Sequence, residues 1–324
     1  MLQSDDKHVK HREDMASTID TRQYASQSAA RLLGRLAFQM SATKKSPNAD
    51  AVHDLRVGIR RFSQALTIFK PCFAGKETRK ARRRLKRLMT EAGTVRNCDV
   101  VLKLLAKSHS SDASAVRAKL QVERKEAERA LVAALQRRIE RKSSLKWRRA
   151  LESALASADE RFCRTPIEDT ARRMLPGRAK EFLQLGNSAA QAKSSPEKLH
   201  QFRIACKKFR YSLELFAPLY GASLKRWLEG IKHAQNLLGD INDCAIAAEI
   251  VSGLKGSRAI VGWLKKRERR KAEEFRRWWP EAFGPREVHR SWMRGLSHPP
   301  SVAIKKPAAR VETQRAHAAA ASAT

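Results

Sequence analysis

Apolar residues recur along this chain at steps of three and four, and cations fill most of the polar positions between them. The pattern is clearest in VHDLRVGIRRFSQALTIFKPCF, Val52 to Phe73. Leu55, Ile59, Phe62, Leu66 and Phe69 step by four, three, four and three, which is the spacing of one buried helix seam. At about 100° per residue, His53, Arg56 and Arg60 fall within an arc of about 60° on a separate face. The same arrangement returns about 147 residues later as LHQFRIACKKFRYSLELFAPLYG, Leu199 to Gly221. There Phe202, Cys206, Phe209, Leu213 and Phe216 form the seam, and His200, Arg203, Lys207 and Arg210 form the polar face. A shared helix period can reproduce apolar positions by chance; it does not also reproduce His, Arg and two cations at fixed offsets. The chain therefore reads as two copies of one helical unit. Pro71 and Pro218 are expected to stop the two helices at matching points.

The remaining segments follow the same grammar. Tyr24 to Met40 reads as helix, and SATKKSPNAD as a break. Lys76 to Ala92 is a very basic helix with Gly93 as its expected end, and Leu224 to Leu238 runs likewise to Gly239. Short apolar runs follow each glycine, Val100 to Leu105 and Cys244 to Leu254. Ala115 to Arg141, residues 145–160, residues 168–186 and Arg258 to Trp279 complete the helical segments. Gly186-Asn187 follows a helical run and reads as a helix stop. No segment reads as a strand, so the fold class is all-α. Setting Gly93 on Gly239 pairs Arg79 with Lys225, Lys86 with Lys232 and Cys98 with Cys244. Seven residues separate the two cations of each pair, which puts them on one helix face as a second basic stripe.

Composition sharpens this picture. The 324 residues are 42% hydrophobic, enough for a sizeable core. Lys and Arg number 67 against 33 Asp and Glu, a formal net charge of +34. Such an excess costs self-repulsion and points to a polyanionic partner. Five cysteines, scattered and without a C-x-x-C pair, suit a reduced cytoplasmic setting better than a disulfide framework. No apolar run is long enough to span a membrane and the amino terminus lacks a signal-peptide core, so the expectation is a soluble, unexported protein. Residues 1–20 are expected to be loose, and 297–324, rich in Ala, Pro and cations, to be disordered.

At the blocks VHDLRV, AGTVRNCDV, LHQFRI, KKFRY and LGDIND the sequence resembles the CHAD family, the conserved histidine α-helical domain. The likeness runs over about residues 22–285, in the family's order and spacing. It implies two pseudo-symmetric helical bundles, residues 21–155 and 156–290 within a domain ending near 296. It also implies inorganic polyphosphate bound in a basic channel lined by both halves. Many relatives carry a triphosphate-tunnel (CYTH) domain; its E-x-E-x-K strand motif is not matched by Glu126 and Glu128, so a stand-alone binding module is expected. One departure stands out. Where the first half of the family usually has Arg-Asp, this chain has Arg96-Asn97, which brings no carboxylate.

These residue types suit that ligand. Polyphosphate offers about one negative charge per phosphate and no bases to read, so binding rests on counterion release and on Arg forks gripping oxygens. The candidates are His53, Arg56, Arg60, Arg79, Lys86 and Arg96 in the first half, and His200, Arg203, Lys207, Arg210, Lys225 and Lys232 in the second. Arg61 and Lys208 lie about 80° around the helix from their histidines and are weaker candidates. The cations beside each histidine disfavour zinc. Asp99, Asp240 and Asp243 suit capping or the holding of arginines. No Walker A loop or G-x-S-x-G is present, and no catalytic activity, cofactor or metal is expected. Two rival readings share the charge: a nucleic-acid-binding protein, which calls for aromatic residues among the cations, and a scaffold on polyphosphate granules.

Overall fold

The computed structural model describes residues 19–108 and 113–298. Among them no strand forms, apart from an isolated bridge between Asp20 and Pro166. The helices are α1 (Thr21–Lys45), α2 (Ala49–Ile68), α3 (Lys76–Leu105), α4 (Ala113–Glu140), α5 (Ser143–Ala156), α6 (Glu160–Cys163), α7 (Ile167–Ala189), α8 (Pro196–Tyr220), α9 (Ser223–Ser252), α10 (Arg258–Phe283) and α11 (Arg286–Ser297). Polar residues start several of them by accepting from otherwise unpaired backbone N–H groups. Asp20 accepts from Gln23 N at 2.7 Å, Asn48 from Ala51 N at 2.8 Å, and Ser195 from Lys198 N at 3.4 Å. Ile19 and Asp20, placed by the sequence in a loose segment, are in fact tied down: Ile19 is buried and its carbonyl accepts from Ile167 N at 3.1 Å. The tail from 299 onward lies outside the described residues.

The order of packing recurs. α1 packs on α2, α2 on α3 and α3 on α4; then α7 packs on α8, α8 on α9 and α9 on α10. The expected seams face inward, since Leu55, Ile59, Phe62, Leu66, Phe69, Phe202, Cys206, Phe209, Leu213 and Phe216 are all buried. Tyr24, Phe69 and Phe216 meet with ring centroids 6.0 to 6.3 Å apart, joining α1 and the end of α2 to α8. A second, separate core sits at the far ends of the long hairpins. Val101, Leu105, Val116 and Leu120 of α3 and α4 pack there with Cys244, Val251, Ile260 and Leu264 of α9 and α10. The α11 helix extends past the expected end of the second half, burying Trp292 and Leu296 against it.

Three expected helix stops do not stop anything. α3 runs through Gly93, α9 through Gly239 and α7 through Gly186. A glycine inside a helix costs about 1 kcal/mol against alanine, which a long, packed helix tolerates. Two of these glycines have a visible reason. A Cβ on Gly93 would lie 2.9 Å from Arg56 Nη1, and a Cβ on Gly186 would overlap the indole of Trp279. Trp279 Nε1 then donates to Asn187 Oδ1 at 2.8 Å, so Gly-Asn here is a seat for a tryptophan. The prolines are also not matched stops: α2 ends at Ile68 before Pro71, whereas α8 passes through Pro218 and ends at Tyr220, capped by Gly221 with φ 56°.

Candidate anion-binding groove

The helices that carry His53 and His200, α2 and α8, cross and bond to each other. Arg60 Nε donates to Tyr211 Oη at 3.0 Å, Arg61 Nε to Glu214 Oε2 at 2.9 Å, and Gln64 Nε2 to Ser212 Oγ at 3.1 Å. α3 lies alongside α2, so its basic first half borders the crossing. Between them is a groove of about 590 Å³. Arg60, Arg82, Arg83, Lys86, Arg203 and Lys207 line it, with Ile59, Leu85 and Met89 as apolar floor. Arg203 also lines an adjoining cavity of about 540 Å³, where His200 and Asn242 are joined by Glu249 and Glu268.

Cations crowd this place to a degree that burial makes costly. Arg56 Nη1 donates to Met89 O at 3.0 Å across the gap left by Gly93. Burial first, then Arg60, Arg96 and Arg203, push the Arg56 pKa down to about 10, so the guanidinium still carries its charge near neutrality. Arg203 is lowered for the same leading reason, with Asp243 opposing and Arg60 reinforcing. Its Nε is buried and finds no acceptor among the described residues. Lys207 is pushed down to about 7 by burial and then by Arg203, Arg60 and Arg56. Asp243 is the half-buried carboxylate among them; partial burial raises its pKa, while Arg203, Arg96 and Lys207 pull the other way. His53 is exposed as a whole, yet partial burial of its ring, then Arg96 and Arg60, lower its pKa.

The structure brings many of the sequence candidates together. Arg56, Arg60, Lys86, Arg96, Arg203 and Lys207 share the groove or the charge cluster behind it, with His53 at its edge and His200 in the adjoining cavity. Others lie elsewhere. Arg79, Lys225 and Lys232 are exposed and line neither cavity. Arg210 is held by Glu214 Oε1 at 3.0 Å and by Gln235 Oε1 at 2.6 Å, and covers the Tyr211 ring at 5.1 Å. Asp99 leaves the cluster altogether, accepting from Arg124 Nε at 2.9 Å. Sequence reading missed Arg82 and Arg83 and undervalued Lys208, which all line the groove. Arg82 and Arg83 precede Lys86 by four and three residues, so the helix period carried a signal for them.

A family model, the CHAD domain, matches residues 10–252, three quarters of the chain. The chain belongs to the CHAD family. Its fold is similar to the crystal structure of the CHAD domain from the plant Ricinus communis, with a TM-score of 0.66 and 20% sequence identity over 88% of this chain and 95% of that one. It is also similar to PptA from Streptomyces chartreusis, with a TM-score of 0.53 and 16% identity over 86% of this chain and 99% of that one. At such identities these likenesses concern the CHAD fold alone. None of the curated proteins compared with the chain matches it. The family model ends before α10 and α11, although both pack onto the helices it covers. Among the described residues, no helix is long and apolar enough to cross a membrane.

Proposed function

We propose that this CHAD protein binds inorganic polyphosphate, without hydrolysing it, in a channel between two pseudo-two-fold halves. The observation that carries the reading is the half-buried cluster of Arg56, Arg60, Arg203 and Lys207, with one half-buried carboxylate, Asp243, among them and the Nε of Arg203 unmatched. Holding such charges together in the free protein is unfavourable, and a chain of phosphates with about one charge per unit relieves it. The symmetry argument rests on the recurring packing order and on the α2–α8 crossing, where Arg60 and Lys207 occupy equivalent positions in the two sequence copies and line the same groove. The second core at the hairpin ends gives the halves another point of attachment, which leaves the groove between two anchored regions.

The groove chemistry favours polyphosphate over nucleic acid. Its lining contains one aromatic side chain, Tyr211. The hydroxyl of Tyr211 accepts from Arg60 and its ring is covered by Arg210, so it is poorly placed to stack a base. Within the cell the protein would lie in the cytoplasm wherever the polymer accumulates, granules included; a fluorescent fusion that stays diffuse in polyphosphate-rich cells would count against that placement. The decisive experiment is a titration with polyphosphate of defined length at two salt concentrations, with duplex and single-stranded nucleic acid as competitors at equal phosphate. Arg56→Ala with Arg203→Ala should weaken binding and flatten its salt dependence while helicity is kept. Unchanged affinity in the double variant removes both residues from the site, and displacement of polyphosphate by nucleic acid reverses the choice of ligand.

A further inference from the structure

Five cysteines are scattered along the sequence, and two of them meet. Cys72, in the turn that follows α2, and Cys163, the last residue of α6, place their Sγ atoms 2.9 Å apart, although 91 residues separate them. Both are fully buried and neither is bonded covalently. The other thiols, Cys98, Cys206 and Cys244, have no such neighbour among the described contacts. A disulfide needs its sulfurs about 2.05 Å apart, so the pair is within a small side-chain movement of bonding.

The surroundings distinguish the two sulfurs. Arg22 reaches the surface and pairs with Glu160 Oε1 at 3.2 Å, and its own pKa is raised first by a hydrogen bond with Cys163. Burial and then Cys163 raise the pKa of Cys72, with Arg22 pulling the other way. Access is also unequal. α6 is four residues long and joins the two halves of the chain, and so short a helix opens more readily than its neighbours. Cys72 N donates to Phe69 O at 3.0 Å, and Phe69 and Phe73 on either side of it in the chain are buried.

We propose that Cys72 and Cys163 form a reversible redox pair, in which Cys163 is oxidised first by a peroxide and Cys72 resolves it to a disulfide. The thiolate of Cys163 attacks one peroxide oxygen, the O–O bond breaks, and the departing hydroxide takes a proton, leaving Cys163 as a sulfenic acid and releasing one water. The Cys72 sulfur then displaces the sulfenic hydroxyl, its proton leaves with that hydroxyl as a second water, and the S–S bond forms. Two thiols lose two hydrogens and one peroxide is reduced to two waters. The bond ties the end of α2, which carries Arg56 and Arg60, to the segment linking the halves. The assignment stands independently of what the groove binds.

The test uses the full-length protein, hydrogen peroxide and dimedone as sulfenic-acid trap. Peroxide should lower the free thiols of the denatured protein from five to three, and peptide mass spectrometry should find Cys72 linked to Cys163, with dithiothreitol restoring five. Cys72→Ser should accumulate a dimedone adduct on Cys163, whereas Cys163→Ser should give none on Cys72. Arg22→Ala should slow disulfide formation several-fold. The proposal is overturned if all five thiols survive peroxide, if another pair links, or if Cys72 is the residue trapped. The wild-type mass spectrum decides the pairing even if a serine variant does not fold.

Discussion

Lys207 offers the sharpest test of the groove. Its ammonium is surrounded by Arg203, Arg60 and Arg56, and its pKa in the free protein is pushed down to about 7. About half of it is therefore neutral at neutral pH. A polyanion laid against it restores the charge, so binding and proton uptake are linked. If the bound amine recovers the ordinary lysine value of about 10.4, uptake is about 0.5 proton at pH 7 and about 0.9 at pH 8. The same linkage makes affinity fall as pH rises, by on the order of 50-fold between about pH 7 and pH 9. The assay is titration calorimetry of polyphosphate binding in two buffers of different ionisation enthalpy, repeated with Lys207→Arg. A guanidinium stays charged throughout this range, so that variant should show little uptake and an affinity that changes less than about three-fold. Absence of uptake at pH 8 in the wild type, or equal uptake in the arginine variant, refutes the placement of Lys207 against the ligand. The free protein carries the opposite sign: with the folded pKa depressed, the unfolded chain binds more protons above about pH 7, so stability should rise with pH across that window.

Three further outcomes are expected. Leu66→Ala or Phe209→Ala, each in a buried seam, should lower stability by about 2–5 kcal/mol in denaturant unfolding while leaving the fold recognisable by circular dichroism. Gly93→Ala should leave melting temperature unchanged or raised, because the helix gains propensity and only the flexible end of Arg56 must move, yet it should weaken polyphosphate binding several-fold in a fluorescence titration. His53, lowered by partial burial and by Arg96 and Arg60, should titrate below its ordinary value in the free protein; NMR of its ring should show that value rising when polyphosphate is added, and affinity should increase as pH falls through the interval between the two. An identical titration curve with and without polymer places the ring outside the contact.

Much of this was legible in the sequence because helix periodicity is a local property. The seams of α2 and α8 are buried at the expected residues, and Arg56, Arg60, Arg203 and Lys207 come together from two distant segments that share one pattern. What failed depended on neighbours. Gly93, Gly239 and Gly186 look like helix ends until one sees Arg56 and Trp279 lying against two of them. Arg79 and Arg83 are four residues apart on one basic helix, yet Arg83 lines the groove and Arg79 does not; only the way α3 packs decides between them. Arg210 matched the polar face by spacing, but Glu214 one turn later, together with Gln235 on α9, holds it. The meeting of Cys72 and Cys163 had no sequence signature at all, since the turn and the short helix that carry them belong to no period.

The glycine at position 93 has a consequence for anyone engineering this protein. Most interior sites reward the residue that suits the backbone best, and screens for thermal tolerance reward it too. Here that choice evicts a guanidinium from its berth. A library sorted by heat resistance alone would therefore drift toward sturdy proteins in which Arg56 has lost its seat in the proposed site, with nothing in the unfolding curve to warn of it.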